Sequence, residues 1–157
     1  MRVIGLDVGD KRIGIAVSDP TGFLASAERV LKRVSIAKDV AALAGMVQEF
    51  EAEAIIVGLP LHLSGRSGTQ AESVQNFIER LKPHITVPVV FWDERLSTKG
   101  ARVLLVEAGM RPAQRSARID AAAAAVILQS YLDYHRQLAL RHKDAEGEDV
   151  TLPARTS

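Results

Sequence analysis

The stretch Arg2-Val3-Ile4-Gly5-Leu6-Asp7-Val8-Gly9-Asp10-Lys11-Arg12-Ile13-Gly14-Ile15-Ala16-Val17-Ser18 decides how this chain folds. Arg2 to Val8 is an almost unbroken apolar run, the pattern of a strand buried on both faces. Arg12 to Ser18 alternates Ile13, Ile15 and Val17 with the small residues Gly14, Ala16 and Ser18, which predicts a second strand. The joint between them, Gly9-Asp10-Lys11, is short and contains a glycine, as an antiparallel hairpin requires. Next, Asp19-Pro20-Thr21-Gly22 fits a type I turn position by position. A third strand is therefore expected within Phe23 to Arg33.

Beyond the hairpins the period changes. Ile36, Val40, Leu43, Ala44 and Val47 share one helical face, with Ser35 as N-cap. Ala54 to Gly58 is a short buried strand, followed by a loop over Leu59 to Gly68. Thr69 and Glu72 have capping-box spacing ahead of a helix that buries Val74, Phe77, Ile78 and Leu81. Pro83 stops that helix, and Val87 to Trp92 is a further strand. Ser97 to Ala108 reads as a helix closed by Gly109, and a last helix runs from Ile119 to about Arg136. The order β-β-β-α-β-α-β-α-α predicts an α/β fold. It is a mixed five-stranded sheet with helices on both faces and the first three strands antiparallel. Right-handed crossovers give the strand order 3-2-1-4-5. A single domain over residues 1–142 is expected, with residues 143–157 a flexible acidic tail carrying Asp144, Glu146, Glu148 and Asp149.

Composition narrows the function. Of 157 residues, 47% are hydrophobic and 25% charged, which suits a globular protein and is too apolar for disorder. The chain has no cysteine, which excludes disulfides, thiol catalysis and cysteine zinc sites. Its longest apolar run, Ala121 to Leu128, falls far short of the ~20 residues that span a bilayer. Asp7 follows the N-terminus too closely for a secretory signal, so a cytoplasmic protein is expected. With 20 basic and 19 acidic residues the formal charge is +1, so the placement of charge matters more than its sum.

Ligands of open α/β sheets bind beyond the carboxyl ends of the parallel strands. Three acids are directed there. Asp7 lies within an apolar strand, where a lone ionised carboxylate needs a partner, a proton or a metal. Glu94 emerges from the strand ending at Trp92. Asp120 opens an Ala-rich helix that can lie close on the sheet. Taken singly each has an ordinary reading: Asp7 as a turn-former, Glu94 as an ion partner of Arg95, Asp120 as a complement to the helix dipole. Together at one edge they would repel one another unless a cation were present. Hard oxygen donors favour Mg²⁺ or Mn²⁺, and His62, His84, His135 and His142 show no metal-binding spacing. A two-metal site would activate water and stabilise the leaving oxygen of a phosphodiester. From Arg95 to Arg118 six basic residues (Arg95, Lys99, Arg102, Arg111, Arg115 and Arg118) stand against Glu107 alone. Such a segment beside the acids suits a polyanionic backbone. Aromatic residues are only 4% of the chain, which argues against extended base stacking, and Trp92 is expected in the core.

Four ordered blocks carry a family resemblance: Gly5-Leu6-Asp7-Val8-Gly9-Asp10-Lys11-Arg12-Ile13-Gly14-Ile15-Ala16, Val57-Gly58-Leu59-Pro60, Asp93-Glu94-Arg95-Leu96-Ser97-Thr98 and Asp120-Ala121-Ala122-Ala123-Ala124. Over residues 1–136 the chain resembles the YqgF/RuvX family of RNase H-like proteins. That family is associated with Holliday junction resolution and with maturation of the small-subunit ribosomal RNA precursor. The resemblance implies an RNase H-like sheet, an endonuclease, and metal-binding acids at Asp7, Glu94 and Asp120. It also implies attack that leaves a 5′-phosphate and a 3′-hydroxyl. Lys11, Arg12, Arg95, Arg111, Arg115 and Arg118 are the expected phosphate holders, and branched DNA or precursor rRNA the expected partner. The sequence does not set the oligomeric state, although a junction resolvase acting on two strands would be expected to form a homodimer. Asp10 stands where the family often has Thr. His62 and Ser64 replace residues often Asn and acidic, so substrate preference at that loop stays open. Two rivals are a phosphate-binding domain of the sugar kinase, actin and Hsp70 group, which needs a second domain, and a non-catalytic nucleic-acid or ribosome-associated module.

Overall fold

The computed structural model describes residues 2–60, 68–96 and 112–151, without the side chains of 112–117 and 147–151. Its strands are β1 (Arg2–Val8), β2 (Arg12–Ser18), β3 (Ala25–Lys32), β4 (Ala52–Leu59) and β5 (Val89–Asp93). They form one sheet in the order β3-β2-β1-β4-β5. β1 pairs antiparallel with β2, and β2 with β3, while β4 runs parallel to both β1 and β5. The order and directions are those the hairpins and crossovers predict.

Local chemistry closes each joint. Gly22 donates to the Asp19 carbonyl at 3.0 Å, completing the expected turn. The Asp19 carboxylate takes the Phe23 amide at 2.8 Å and the Thr21 hydroxyl at 2.7 Å. These bonds hold its pKa below the usual carboxylate range, the Thr21 bond most of all. Helix α1 (Ile36–Glu49) starts at Ser35, whose side chain accepts from the Lys38 amide. At its far end Glu51 takes a left-handed φ of 51°, a conformation that favours glycine.

Helix α2 (Thr69–Leu81) corrects the capping-box expectation. Its N-cap is Gly68 and no side chain caps it, because Thr69 is already inside the first turn. A 3-10 turn over Lys82–His84 follows and absorbs Pro83 at the helix end. Helix α3 (Pro112–Thr151) is also longer than expected. Pro112 heads it, a position that suits a residue without an amide hydrogen. Polar residues before Ile119 gave no apolar period by which to see those turns. The backbone of α3 therefore includes much of the segment read as an acidic tail; residues 152–157 lie outside the described residues, as does the helix expected over Ser97 to Ala108.

Two cores flank the sheet. One face packs Ile4, Leu6, Val8, Ile13, Ile15, Val17, Ile55 and Val57 against Val40, Leu43 and Val47 of α1 and Val74, Phe77 and Ile78 of α2. The other packs Val3, Ala16, Ile56 and Trp92 against Ala124, Ile127, Leu128 and Leu132 of α3. Trp92 is thus a core residue, as expected, and its indole nitrogen donates to the Ser130 hydroxyl at 3.1 Å. No helix among the described residues is long and apolar enough to cross a membrane.

Candidate functional site

Strand alternation assigns Asp7 to the α3 face, because Ile4, Leu6 and Val8 fill the opposite core. Glycine then sets how closely α3 approaches. A Cβ on Gly5 would lie 2.7 Å from Leu128 Cβ and 3.1 Å from the Ala124 carbonyl oxygen. A Cβ on Gly14 would collide with the Asp120 carbonyl. Gly14 is also the cross-strand partner of Asp7, and such partners face the same side of a sheet. From Gly5 to Asp7 the strand rises ~7 Å, and from Ala124 back to Asp120 the helix rises ~6 Å. The two acids therefore travel together along one helix–strand contact.

Glu94 arrives from the other side. It follows β5 in a 3-10 turn over Glu94–Leu96. Its Oε1 stands 3.0 Å from where a Cβ on Gly58 would be. In parallel register Gly58 lies one residue beyond the Leu6–Val57 pair, beside Asp7. A missing side chain on β4 thus lets Glu94 lie over that strand toward β1. The fold brings all three acids to one face at the carboxyl ends of β1 and β5.

The nearest partner of Asp120 was not expected. Its Oδ2 accepts from Arg12 Nε at 2.8 Å, with both side chains partly exposed. Asp120 also lies in the third turn of α3, counted from Pro112, so the reading as a dipole-complementing first-turn residue does not hold. Among the described residues no three acidic, His or Cys side chains stand close enough together to hold a metal ion. The donor chemistry fits a hard divalent cation, three carboxylates with no sulfur or imidazole among them. The arrangement described has the Arg12 guanidinium at one of those carboxylates instead.

The expected phosphate holders divide. Lys11 and Arg118 are exposed. Arg95 grips Asp93, with Nη2 2.7 Å from Oδ2 and its amide 2.9 Å from Oδ1. This pairing holds the Asp93 carboxyl below its usual range and raises the Arg95 pKa. Arg95 is therefore tied to Asp93, a residue the sequence did not single out. Arg111 and the Arg115 side chain lie outside the described residues, as do His62 and Ser64, while Asp10 is exposed on the hairpin.

Arg33 and Asp39 were also missed. Arg33 Nη1 donates to the Gly9 carbonyl at 2.9 Å, and Nε donates to Asp39 Oδ2 at 3.3 Å. The guanidinium lies over the Phe77 ring, 4.8 Å from its centroid. Asp39 is 2% exposed, and its other oxygen takes the Val34 amide at 3.1 Å. This pair, a half-buried guanidinium on a buried carboxylate, bolts the turn after Asp7 to the start of α1. A signal existed: Asp39 falls between Ile36 and Leu43 on the apolar stripe of α1, where an acid needs a partner.

Comparison with known proteins gives first a structural class. The Thermus thermophilus RuvC in complex with a Holliday junction superposes with a TM-score of 0.62 and 20% identity, covering 87% of this chain and 96% of that one. A fowlpox virus Holliday junction resolvase gives 0.52 and 14%, covering 85% and 99%. The fold is RuvC-like, within the RNase H-like class. The RuvX profile, described as Holliday junction resolvase, matches residues 1–134, and the chain belongs to that family. Relatives bearing the name "Putative pre-16S rRNA nuclease" include one from Desulforamulus reducens, 48% identical over 133 residues (85% of this chain, 97% of the relative). Another, from Syntrophomonas wolfei, is 47% identical over 133 residues (85% and 94%).

Proposed function

We propose that this chain is a divalent-metal-dependent endonuclease acting on structured nucleic acid. The substrate class follows from its relatives: the precursor of 16S rRNA from their printed name, and four-way junctions from the family description. The observation that carries the proposal is the glycine-lined face. Gly5 and Gly14 let α3 and the Asp120 backbone rest against the strands that carry Asp7, and Gly58 leaves room for the Glu94 side chain on the same face, which supports a shared site for the three acids.

Asp7, Glu94 and Asp120 would hold the divalent cation, Mg²⁺ or Mn²⁺. When bound it supplies activation of water at neutral pH and stabilisation of charge on the leaving oxygen. The chain's own residues do the rest. Asp7, carried on the central strand, is fixed in position by β2 on one side and β4 on the other. Arg12 neutralises Asp120 in the described state. With Asp120 engaged by a cation, the Arg12 guanidinium would be free to hold a phosphate oxygen beside the acids. Lys11 and Arg118 are exposed for phosphate contact, and Arg95, its Nε and Nη2 engaged by Asp93, keeps a positive charge next to Glu94. A homodimer would place two such edges on two strands of one junction.

A second reading, a non-catalytic binding module, draws its support from the Arg12–Asp120 pair. One experiment separates the two. Purified wild type and Asp7→Asn are incubated with a labelled four-way DNA junction and with precursor 16S rRNA, each with Mg²⁺ or Mn²⁺. The proposal expects cleavage of one substrate by wild type, slowed on the order of 10²–10³-fold in the variant, the usual cost of removing a preorganised electrostatic group. Wild type and variant that bind both substrates and cut neither would establish the binding module.

A further inference from the structure

Two concave regions run together along the outer strand. The first, about 530 Å³, is lined by Asp10, Lys11, Arg12, Val30, Lys32 and Arg33. The second, about 570 Å³, lies between β3 and α3, with Arg118, Ala121 and Ala122 on its helix side. Val30 lines both, so they form one trough. It begins at Arg12, the residue that holds Asp120, and runs along β3 past Arg118 and Ala121, the α3 neighbours of Asp120.

Charge in this trough is unbalanced in a particular way. Arg12 and Lys32 are directly opposite across the β2–β3 ladder, where like charges destabilise a sheet. Arg12 is paired with Asp120, Arg33 with Asp39, and Arg29 with Glu28 and Glu49. Among the described residues no carboxylate pairs with Lys11, Lys32 or Arg118. All three are exposed. A solvated face disperses its cations; here three without an ion-pair partner among the described residues, against the exposed carboxylate of Asp10, border a concavity whose shared wall is an aliphatic side chain.

We propose that this trough is a track for the phosphodiester backbone of one nucleic-acid strand leaving the acidic site, with Lys11, Lys32 and Arg118 as its phosphate contacts. The inference rests on the nuclease reading for its direction, and it adds Lys32 and the β3 edge to the substrate path. From Lys32 to Ala27 the strand spans ~17 Å at the usual rise per residue, the axial rise of about five nucleotides in one B-form strand. No aromatic side chain lines either concavity, so the contacts are to phosphate and carry no base sequence.

The test measures equilibrium binding in the Asp7→Asn protein, so that no turnover interferes. The probes are a labelled four-way DNA junction and a labelled single-stranded RNA, each in two sequences, titrated across salt concentrations. Lys11→Gln/Lys32→Gln is compared with the parent and with Lys38→Gln, which alters an exposed lysine on the opposite side of the sheet. The expected result is affinity about tenfold weaker at 0.1 M salt, equally for both sequences. The slope of log affinity against log salt should fall by about 0.7–0.9 for each lost contact. An unchanged slope, or an equal loss in Lys38→Gln, would overturn the track. Its failure is distinguishable from failure of the nuclease reading. A wild type that cuts neither substrate, while the trough variant still binds with a reduced slope, leaves the track standing and removes the nuclease.

Discussion

The two faces of the sheet are built on different rules. Against α1 and α2 the strands present Ile4, Leu6, Val8, Ile13, Ile15 and Val17, and the helices answer with Leu43, Phe77 and Ile78. Against α3 the strands also bury Val3, Ile56 and Trp92, but Gly5, Gly14, Ala16 and Gly58 interrupt that face with small residues. Large branched side chains bury area and keep the helices at ordinary distance. Glycine and alanine give up that area and let a backbone come close. The first face holds the larger of the two apolar clusters; the second brings α3, with Asp120, close to the strands.

The sharpest break is at the Arg33–Asp39 pair, on the α1 and α2 side of the sheet. Arg33→Met leaves Asp39 buried without its charge partner, which costs about 3–5 kcal/mol. Urea unfolding of wild type and variant reads this directly. An Arg33→Met/Asp39→Leu double variant should recover much of the loss, since an apolar pair removes the stranded charge.

A matched pair of substitutions on β2 then separates the faces. Gly14→Ala drives a Cβ into the Asp120 backbone, and overpacking of that kind costs about 1–3 kcal/mol. It should displace α3 as well, so cleavage should fall further than stability explains. Ile15→Val, one residue along and facing the other way, removes one methylene for about 0.5–1.5 kcal/mol. Cleavage by the folded fraction should be unchanged in that variant. Equal cleavage losses in both would erase the distinction between the faces.

The smallest effect is acid-side. Asp93 is held below its ordinary pKa chiefly by the Arg95 side chain. A carboxylate depressed on folding stabilises the protein above its unfolded value of about 3.9, and the contribution disappears as pH falls through the folded value. Because the pair is largely solvated, this amounts to less than about 1 kcal/mol. Thermal melts of wild type and Asp93→Asn should differ at pH 7, with the difference shrinking as the pH is taken down through the acid range.

Much of the first face was legible in the sequence, because its signal is periodicity. Ile13, Ile15 and Val17 announce β2, and the Asp19 turn fixes the next reversal. The strand order followed from the handedness of two crossovers. The second face was legible only as a list of acids. Gly14 and Gly58 read as small strand residues until α3 was seen to rest on one and Glu94 to stand over the other. The Arg12–Asp120 pair joins residues 108 apart in the chain, and no local pattern in either segment marks it. Thr69 looked like an N-cap because its spacing to Glu72 is right, but spacing does not say which residue has already entered the helix. Asp39 was the one miss with a readable cue, an acid on an otherwise apolar stripe.

The central claim is that the glycine-lined face lets Asp7, Glu94 and Asp120 share a cation, with Arg12 giving way. Calorimetric titration of Mn²⁺ into wild type, Asp7→Asn, Glu94→Gln and Asp120→Asn tests it without any substrate. Loss of one oxygen donor should weaken binding in all three variants, by at least about tenfold, since metal affinity depends on ligand charge and number. Undiminished Mn²⁺ affinity in any of the three would contradict a shared site.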